Sequence, residues 1–195
     1  MKKKTDQRHS ATRPFATLTP DSLLDALESI GLAPDGRLLA LNSYENRVYQ
    51  IGMEAGAPLV AKFYRPGRWS DAAILEEHAF TTELAARELP VVSPMNIAGA
   101  TLHHAGDLRF AVFSRQGGRP PEFDSGKTLE WMGRFIGRIH AVGALRPFAA
   151  RPDIGITSFG EASRDFLRRS GFLPPDLADV YFGVVDQALD AARRC

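Results

Sequence analysis

The order of apolar and polar positions divides the chain into a mostly β first part and an all-helical second part. Short apolar runs bounded by polar turns are typical of strands. The strands are expected at residues 37–41, 47–51, 59–63, 99–103 and 108–114. Between the third and fourth of these, Ser70 caps a predicted helix that ends near residue 88. We therefore expect an α+β fold with a mostly antiparallel sheet.

Local signals place the remaining helices. Thr19, followed by a proline, predicts a helix that ends at Gly31. Ser158 and Glu161 form a capping-box pattern before a helix that ends near residue 169. A proline pair then opens the last predicted helix. The residues of that helix expected to face inward are Leu177, Tyr181, Val184, Ala188 and Ala192.

Composition shifts suggest where the parts of the chain meet. Lysines near the start predict a flexible basic tail over residues 1–15. Residues 16–115 then carry the predicted sheet, and residues 116–126 are rich in Gly and Pro, which is typical of a hinge. Residues 127–195 form the helical part.

Bulk charge and length exclude several classes of partner. The 195 residues carry a net charge of +1, which gives no electrostatic reason to expect nucleic acid or a membrane surface as partner. We find neither a signal-peptide pattern nor an apolar run long enough to span a bilayer, so we expect a cytoplasmic protein. A single cysteine, Cys195, rules out a disulfide within one chain.

The candidate chemistry begins with Lys62, a charged residue inside an apolar strand. Burying an ammonium group is costly without an anionic partner. Glu77 lies 15 positions later on the buried stripe of the predicted helix, so the two side chains are expected to pair. Kinases use this pair to hold the α- and β-phosphates of ATP. Glu76 is the alternative partner, and a strand lysine that reaches water from a sheet edge is the alternative without a function.

Several segments resemble the bacterial stress response kinase A family, within the aminoglycoside phosphotransferase and choline kinase group. They span residues 41–49, 60–66, 74–78 and 110–113. The resemblance implies a protein-kinase-like fold with a complete small lobe, residues 16–115, and an incomplete helical large lobe, residues 127–195. It also implies an ATP- and Mg²⁺-dependent serine/threonine protein kinase with a role in the stress response.

The resemblance assigns roles to individual residues of the small lobe. Lys62 would hold the phosphates, with Glu77 as its partner. Ser43, Tyr44 and Asn46 would cover the nucleotide from a turn that, unlike the glycine-rich loop of many kinases, contains no glycine. These side chains and backbone N–H groups would then take the place of that loop.

At the end of the sheet, Ser114, Arg115 and Gln116 match the hinge whose backbone receives the adenine edge. The family's catalytic segment, H-G-D-x-H-x-x-N, and the D-x-D that follows it are absent from the 195 residues. No catalytic or metal-binding residue is therefore assigned, and the Mg²⁺ ligands of the family are missing. The chain is expected to be a truncated kinase that is inactive alone.

Two other interpretations stay open. The chain is alternatively a non-catalytic module that binds a nucleotide or a protein, or a fragment of a related small-molecule kinase. An incomplete large lobe would also expose an apolar surface, which favours self-association. The sequence does not identify a protein substrate.

Overall fold

The computed structural model describes residues 14–194. The chain forms two compact units, the first extending to Pro147 and the second beginning at Phe148. The predicted basic tail lies almost wholly outside the described residues. Phe15, at its end, packs against the core of the first unit. Within the described residues, no helix combines the length and the apolar character that a membrane crossing requires.

The first unit is a five-stranded antiparallel sheet with three helices, which confirms the predicted α+β class. Its strands follow the spatial order β1-β2-β3-β5-β4. The elements are α1 (Pro20–Glu28), β1 (Pro34–Leu41), β2 (Arg47–Met53), β3 (Leu59–Phe63), α2 (Asp71–Ala86), β4 (His103–Ala105), β5 (Leu108–Ser114) and α3 (Gly126–Gly143).

One face of the sheet carries the main apolar core. Alternate residues of a strand point to opposite faces, so Ala61 and Phe63 of β3 lie on the same side. Both are fully buried, and Phe63 stacks on Phe110 of β5 with ring centroids 5.3 Å apart. Leu23 and Leu27 of α1 close this core. Lys62, between the two core residues of β3, therefore lies on the other face, where α2 packs.

Ion pairs hold α2 at both of its ends. At the first turn, Asp71 accepts hydrogen bonds from Arg109 of β5 and from His104 of β4, each at 2.9 Å. At the last turn, Glu83 accepts from Arg146 at 2.5 Å and from Arg87 at 2.9 Å. The bond from Arg109, and then that from His104, holds the pKa of Asp71 below its usual value. The pKa of Glu83 is lowered in the same way, first by Arg146 and then by Arg87.

The fourth strand differs from its prediction. We expected residues 99–103 to be extended, but the chain turns at Ala98 and Gly99, whose φ angles are +50° and +83°. A left-handed conformation at two successive residues reverses the backbone and ends any strand there. Strand β4 begins only at His103, and it includes His104 and Ala105, which we had predicted to lie in a turn.

An irregularity marks the outer edge of the sheet. Strand β1 is an edge strand, and its pairing with β2 shifts register between Pro34 and Leu38. Gly36 adopts a φ of +85° within this bulge. The Asp35 carboxylate accepts from the backbone N–H of Arg37 at 2.9 Å and from its Nε at 2.8 Å, which closes the bulge on itself.

The second unit contains a π-helical turn (Ile156–Glu161), α4 (Ala162–Ser170) and α5 (Pro175–Arg193). The predicted capping box at Ser158 and Glu161 is wrong. The Ser158 hydroxyl instead accepts from the backbone N–H of Gly155 at 3.1 Å, so the helical backbone begins one turn earlier.

The inward face predicted for α5 is also wrong. Leu189 is the buried residue of this helix, and it packs so closely on Gly160 that a Cβ there would lie 2.4 Å from it. The π-helical turn and α4 pack along that side, and Arg164 of α4 bonds to Asp186 at 2.8 Å. The residues expected inward are instead exposed: Leu177, Tyr181, Val184, Ala188 and Ala192.

The buried His103 gives a pH-dependent prediction. Its Nε2 has no hydrogen-bond partner within the described residues, and burial, followed by the charge of His104, lowers its pKa. The unfolded chain takes up this proton near pH 6.5, whereas the folded chain resists it, so folding stability is lost as pH falls below about 6.5. Between pH 7.5 and pH 5.5 we expect the free energy of unfolding of His103→Leu to fall by about 1 kcal/mol less than that of the parent chain.

Urea unfolding at the two pH values measures this difference. His140→Leu is the matched control, since His140 is exposed on α3. The same pH dependence in His103→Leu and in the parent would contradict the assignment.

The anchor at the start of α2 gives a second prediction. Because the folded pKa of Asp71 is depressed, its contribution to stability is present above about pH 4 and disappears as pH falls through the folded pKa. Asp71 is half exposed, so Asp71→Asn should cost about 1 kcal/mol or less at pH 7. Thermal unfolding at pH 7 and pH 3 measures the change, with the exposed turn residue Asp107→Asn as control. An equal effect of both substitutions at pH 7 would argue against an anchoring role.

Candidate functional site

Lys62 and Glu77 meet as the sequence predicts. Lys62 Nζ donates to Glu77 Oε1 at 2.9 Å, which joins the middle of the sheet to α2. Glu77, and not Glu76, is thus the partner of Lys62. Strand β3 lies between β2 and β5, so Lys62 is not on a sheet edge. The two side chains are 23% and 33% exposed, and the pair is therefore within reach of a ligand from solvent.

An aromatic ring also contacts the lysine. Lys62 Nζ lies 4.8 Å from the centroid of the Tyr64 ring, two residues farther along the same face of the chain. The Tyr64 hydroxyl is hydrogen-bonded to His78 of α2 at 2.7 Å. This contact could not be predicted from the sequence, because Tyr64 and His78 are separated by the loop between β3 and α2 and no local pattern links them.

The turn between β1 and β2 is held down by the loop that follows β3. Glu45 accepts from Arg68 Nε at 3.1 Å and from Trp69 Nε1 at 3.0 Å. Asn46 Oδ1 accepts from the backbone N–H of Arg65 at 3.2 Å. Glu45 is thus an anchor that the sequence analysis did not identify, because its partners lie more than 20 positions away.

The tip of this turn stays accessible. The side chains of Ser43 and Tyr44 are exposed, and within the described residues neither makes a hydrogen bond. The structure does not bring them into contact with Lys62. Their backbone nonetheless follows directly from Leu41, which pairs with Val48, the strand neighbour of Lys62.

Strand register places the remaining predicted residues at the opposite end of the sheet. Ser114 pairs with Leu59, and Ala111 pairs with Lys62. Ser114 therefore lies three residues along β5 from Ala111, the partner of Lys62, which corresponds to about 10 Å. Residues 114–116 are exposed, and Gln116 Nε2 donates to Ser114 Oγ at 3.3 Å.

A strip of mostly apolar side chains, interrupted by Gln50, connects these two ends on the lysine face. Leu41 pairs with Val48, and Leu39 pairs with Gln50, the next residue of β2 on that face. Both leucines therefore lie on the side of Lys62. Leu39 is 56% and Leu41 is 37% exposed, whereas Val48 and Val60 are half-buried. This strip is suited to a flat apolar ring. The strip was not predicted from the sequence, although strand alternation alone places these residues beside the lysine.

Among residues 14–194, no group of three or more His, Cys, Asp or Glu side chains is arranged to hold a metal ion. Within these residues the structure offers no ready cage for a cation.

Comparison with known proteins agrees with the kinase-like arrangement. Residues 37–194 match the model of the phosphotransferase enzyme family. Stress response kinase A of Salmonella choleraesuis (strain SC-B67) is 40% identical over 181 residues, which are 93% of this chain and 55% of that protein. The protein of the same name from Escherichia coli (strain K12) is 40% identical over 177 residues, or 91% and 54% of the two chains. The chain therefore spans about half the length of these relatives.

A solved structure extends the comparison to the fold. Amicoumacin kinase, in complex with AMP-PNP, Ca²⁺ and Ami, superposes with a TM-score of 0.70 over 90% of this chain and 54% of that one, at 18% identity. This similarity shows the kinase-like fold that the sequence predicts. With the family match over most of the described residues, we conclude that the chain belongs to the phosphotransferase enzyme family.

Proposed function

We propose that the chain is the nucleotide-binding part of an ATP-dependent serine/threonine protein kinase of the bacterial stress response type, located in the cytoplasm. The observation that carries the proposal is the 2.9 Å pair between Lys62 and Glu77, partly exposed on the face where α2 crosses the sheet. A relative in Salmonella typhimurium, 40% identical over 181 residues, is named serine/threonine protein kinase RdoA, which supports the protein-kinase assignment over that of a non-catalytic module.

Lys62 is the group that holds the phosphates in this proposal. An ammonium group has three donor positions. One of them is directed at Glu77 Oε1, and the others are available to phosphate oxygens approaching from solvent. The bond to Glu77 limits the rotamers of the lysine, so that little conformational entropy remains to be lost when the phosphate binds.

The adenine ring lies along the apolar strip in this proposal. Leu39, Leu41, Val48 and Val60 offer it a flat apolar surface, and the backbone of residues 114–116 receives its polar edge. The distance of about 10 Å along β3 between that end and Lys62 is comparable to the length of the adenosine part of the nucleotide. The direction of the sheet therefore sets the direction of the nucleotide.

The turn at residues 42–46 covers the phosphates. Glu45 and Asn46 fix its base. Ser43 and Tyr44 at the tip are exposed, and they lie within a few residues of Leu41, whose partner Val48 pairs with Lys62. A turn anchored at its base and exposed at its tip can present hydroxyl and backbone N–H donors to an anion without collapsing onto the sheet.

The metal requirement separates binding from catalysis. In kinases, Mg²⁺ neutralises charge on the phosphates during transfer. The segment that supplies its ligands in the stress response kinase A family is absent from these 195 residues, so no step through a metal is assigned. We propose that the 195 residues bind Mg-ATP, with the metal carried by the nucleotide, and transfer little or no phosphate by themselves.

A small-molecule kinase is the second candidate. The observation that favours it is the fold similarity to amicoumacin kinase. The 40% identity to the stress response kinases, against 18% to that protein, makes it the weaker candidate.

Nucleotide binding is tested by thermal unfolding with and without Mg-ATP. At a concentration about 100 times the dissociation constant, a ligand specific for the folded state adds about 2.7 kcal/mol, which should raise Tm by about 5 to 10 °C. Lys62→Met should abolish this shift. Lys127→Met, which removes an exposed lysine of α3, should retain it. The absence of a shift in the parent chain would reject the proposed function.

The proposed lack of turnover has its own test. The purified chain is incubated with γ-labelled Mg-ATP and a mixture of test proteins, and label on protein is counted. We expect no incorporation above that of Lys62→Met, because these residues contain neither the catalytic aspartate nor the metal-binding segment. Incorporation that depends on Lys62 would overturn this part of the proposal.

A further inference from the structure

The ring of Tyr64 forms the floor beneath the proposed phosphate-holding lysine. Tyr64 follows β3 directly, and its backbone N–H donates to Arg109 O at 2.8 Å, so the extended pairing with β5 continues through it. Alternation then puts Tyr64 on the same face as Lys62. The ammonium nitrogen lies 4.8 Å from the ring centroid, within the range of a cation–π contact.

The orientation of this ring is set from α2. Tyr64 is 3% exposed, and a buried phenol requires a partner for its hydroxyl. That partner is Nε2 of His78 at 2.7 Å. His78 is itself 2% exposed, and its Nδ1 lies 2.9 Å from Thr101 Oγ1. In a neutral imidazole one nitrogen donates and the other accepts, so the three side chains form a continuous chain of hydrogen bonds.

This chain runs beside the Lys62–Glu77 pair. Glu77 and His78 are adjacent on one turn of α2, and their partners Lys62 and Tyr64 are neighbours on one face of the extended strand. The ion pairs at Asp71 and Glu83 hold the ends of α2, but a single hydrogen bond near its middle would restrict its rotation there less than two bonds do. Two bonds from adjacent helix residues fix both the rotation of the helix and its height along the strand.

We propose that Tyr64 and His78 are positioning residues for nucleotide binding: their hydrogen bond holds the Tyr64 ring under the Lys62 ammonium and keeps α2 in register. The inference rests on the proposed function. A phosphate that draws the ammonium toward itself weakens its bond to Glu77, whereas the bond between Tyr64 and His78 does not involve the ligand. Glu77 therefore stays in place while the ammonium group of Lys62 is shared between Glu77 and the phosphate.

The test compares two removals of a phenolic hydroxyl. Tyr64→Phe keeps the ring but breaks the bond to His78. Tyr49→Phe is the matched control, because Tyr49 lies on the opposite face of the sheet, packs on Phe63, and makes no side-chain hydrogen bond within the described residues. Affinity for Mg-ATP is measured by calorimetry well below Tm. We expect Tyr64→Phe to weaken it about fivefold, the equivalent of one hydrogen bond, and Tyr49→Phe to leave it unchanged.

A second readout does not need the nucleotide. The protein is labelled with ¹³C at the lysine ε position, and the NMR signal of Lys62 is assigned by its loss in Lys62→Arg. The chemical shift of this signal depends on the position of the Tyr64 ring relative to the ammonium group. We expect this signal to move in Tyr64→Phe and to stay in Tyr49→Phe. Thr101→Val, which breaks the far end of the chain without touching Lys62, should move it in the same direction by a smaller amount.

The outcomes distinguish the two proposals. Weaker affinity together with a moved Lys62 signal in Tyr64→Phe supports the positioning role. A lower Tm with unchanged affinity overturns it and leaves Tyr64 as a packing residue, whether or not the signal moves.

If the parent chain does not bind Mg-ATP, the proposed function fails. The Lys62 signal then decides alone whether Tyr64 orients the lysine, and a signal unmoved in both Tyr64→Phe and Thr101→Val rejects that role. If Tyr64→Phe does not fold, Thr101→Val provides both measurements.

Discussion

A charged ammonium group on the half-buried face of a sheet is the constraint on which the first unit depends. The low polarity of that face makes an isolated Lys62 costly, so a carboxylate must be brought to it. Glu77 meets this need only if α2 crosses the sheet at one height and one rotation. The opposite face is filled by the core beneath α1, which makes the sheet a rigid platform from which the lysine projects.

Directional polar contacts add to apolar packing in holding α2 on the sheet. Its buried residues are Ala73, Ile74, His78 and Leu84, which include a small residue and a histidine and so offer a modest apolar surface. Asp71 and Glu83 compensate with ion pairs at the two ends, and His78 adds a buried hydrogen bond near the middle. Apolar packing tolerates sliding, whereas hydrogen bonds do not, so this choice of contacts favours precision in the placement of Glu77.

The parts of the site that the sequence predicted are those with local or periodic signals. Lys62 stands out because a charge interrupts a strand, and Glu77 because a carboxylate interrupts an apolar helical stripe. Family resemblance added Ser43, Tyr44, Asn46 and residues 114–116, whose nucleotide roles remain predictions. The antiparallel sheet and the position of α2 were likewise predictable from the alternation of strand and helix patterns.

What could not be predicted depends on contacts between distant segments. The bonds from Glu45 to Arg68 and Trp69, and the chain from Tyr64 through His78, join residues whose spacing carries no pattern. The stripe of α5 shows which residues are apolar, but not which neighbours are available to cover them. For this reason Leu189, off the predicted stripe, is the buried residue.

The bulge in β1 has a consequence for how copies of this chain can meet. An open sheet edge offers a row of unpaired N–H and C=O groups to any strand that approaches it. Here one edge is interrupted at Gly36 and carries the charged pair of Asp35 and Arg37, while the other, β4, is only three residues long. Within the described residues, neither edge offers a long regular ladder for a foreign strand. The bulge and the short β4 therefore limit the growth of this sheet into a continuous intermolecular sheet.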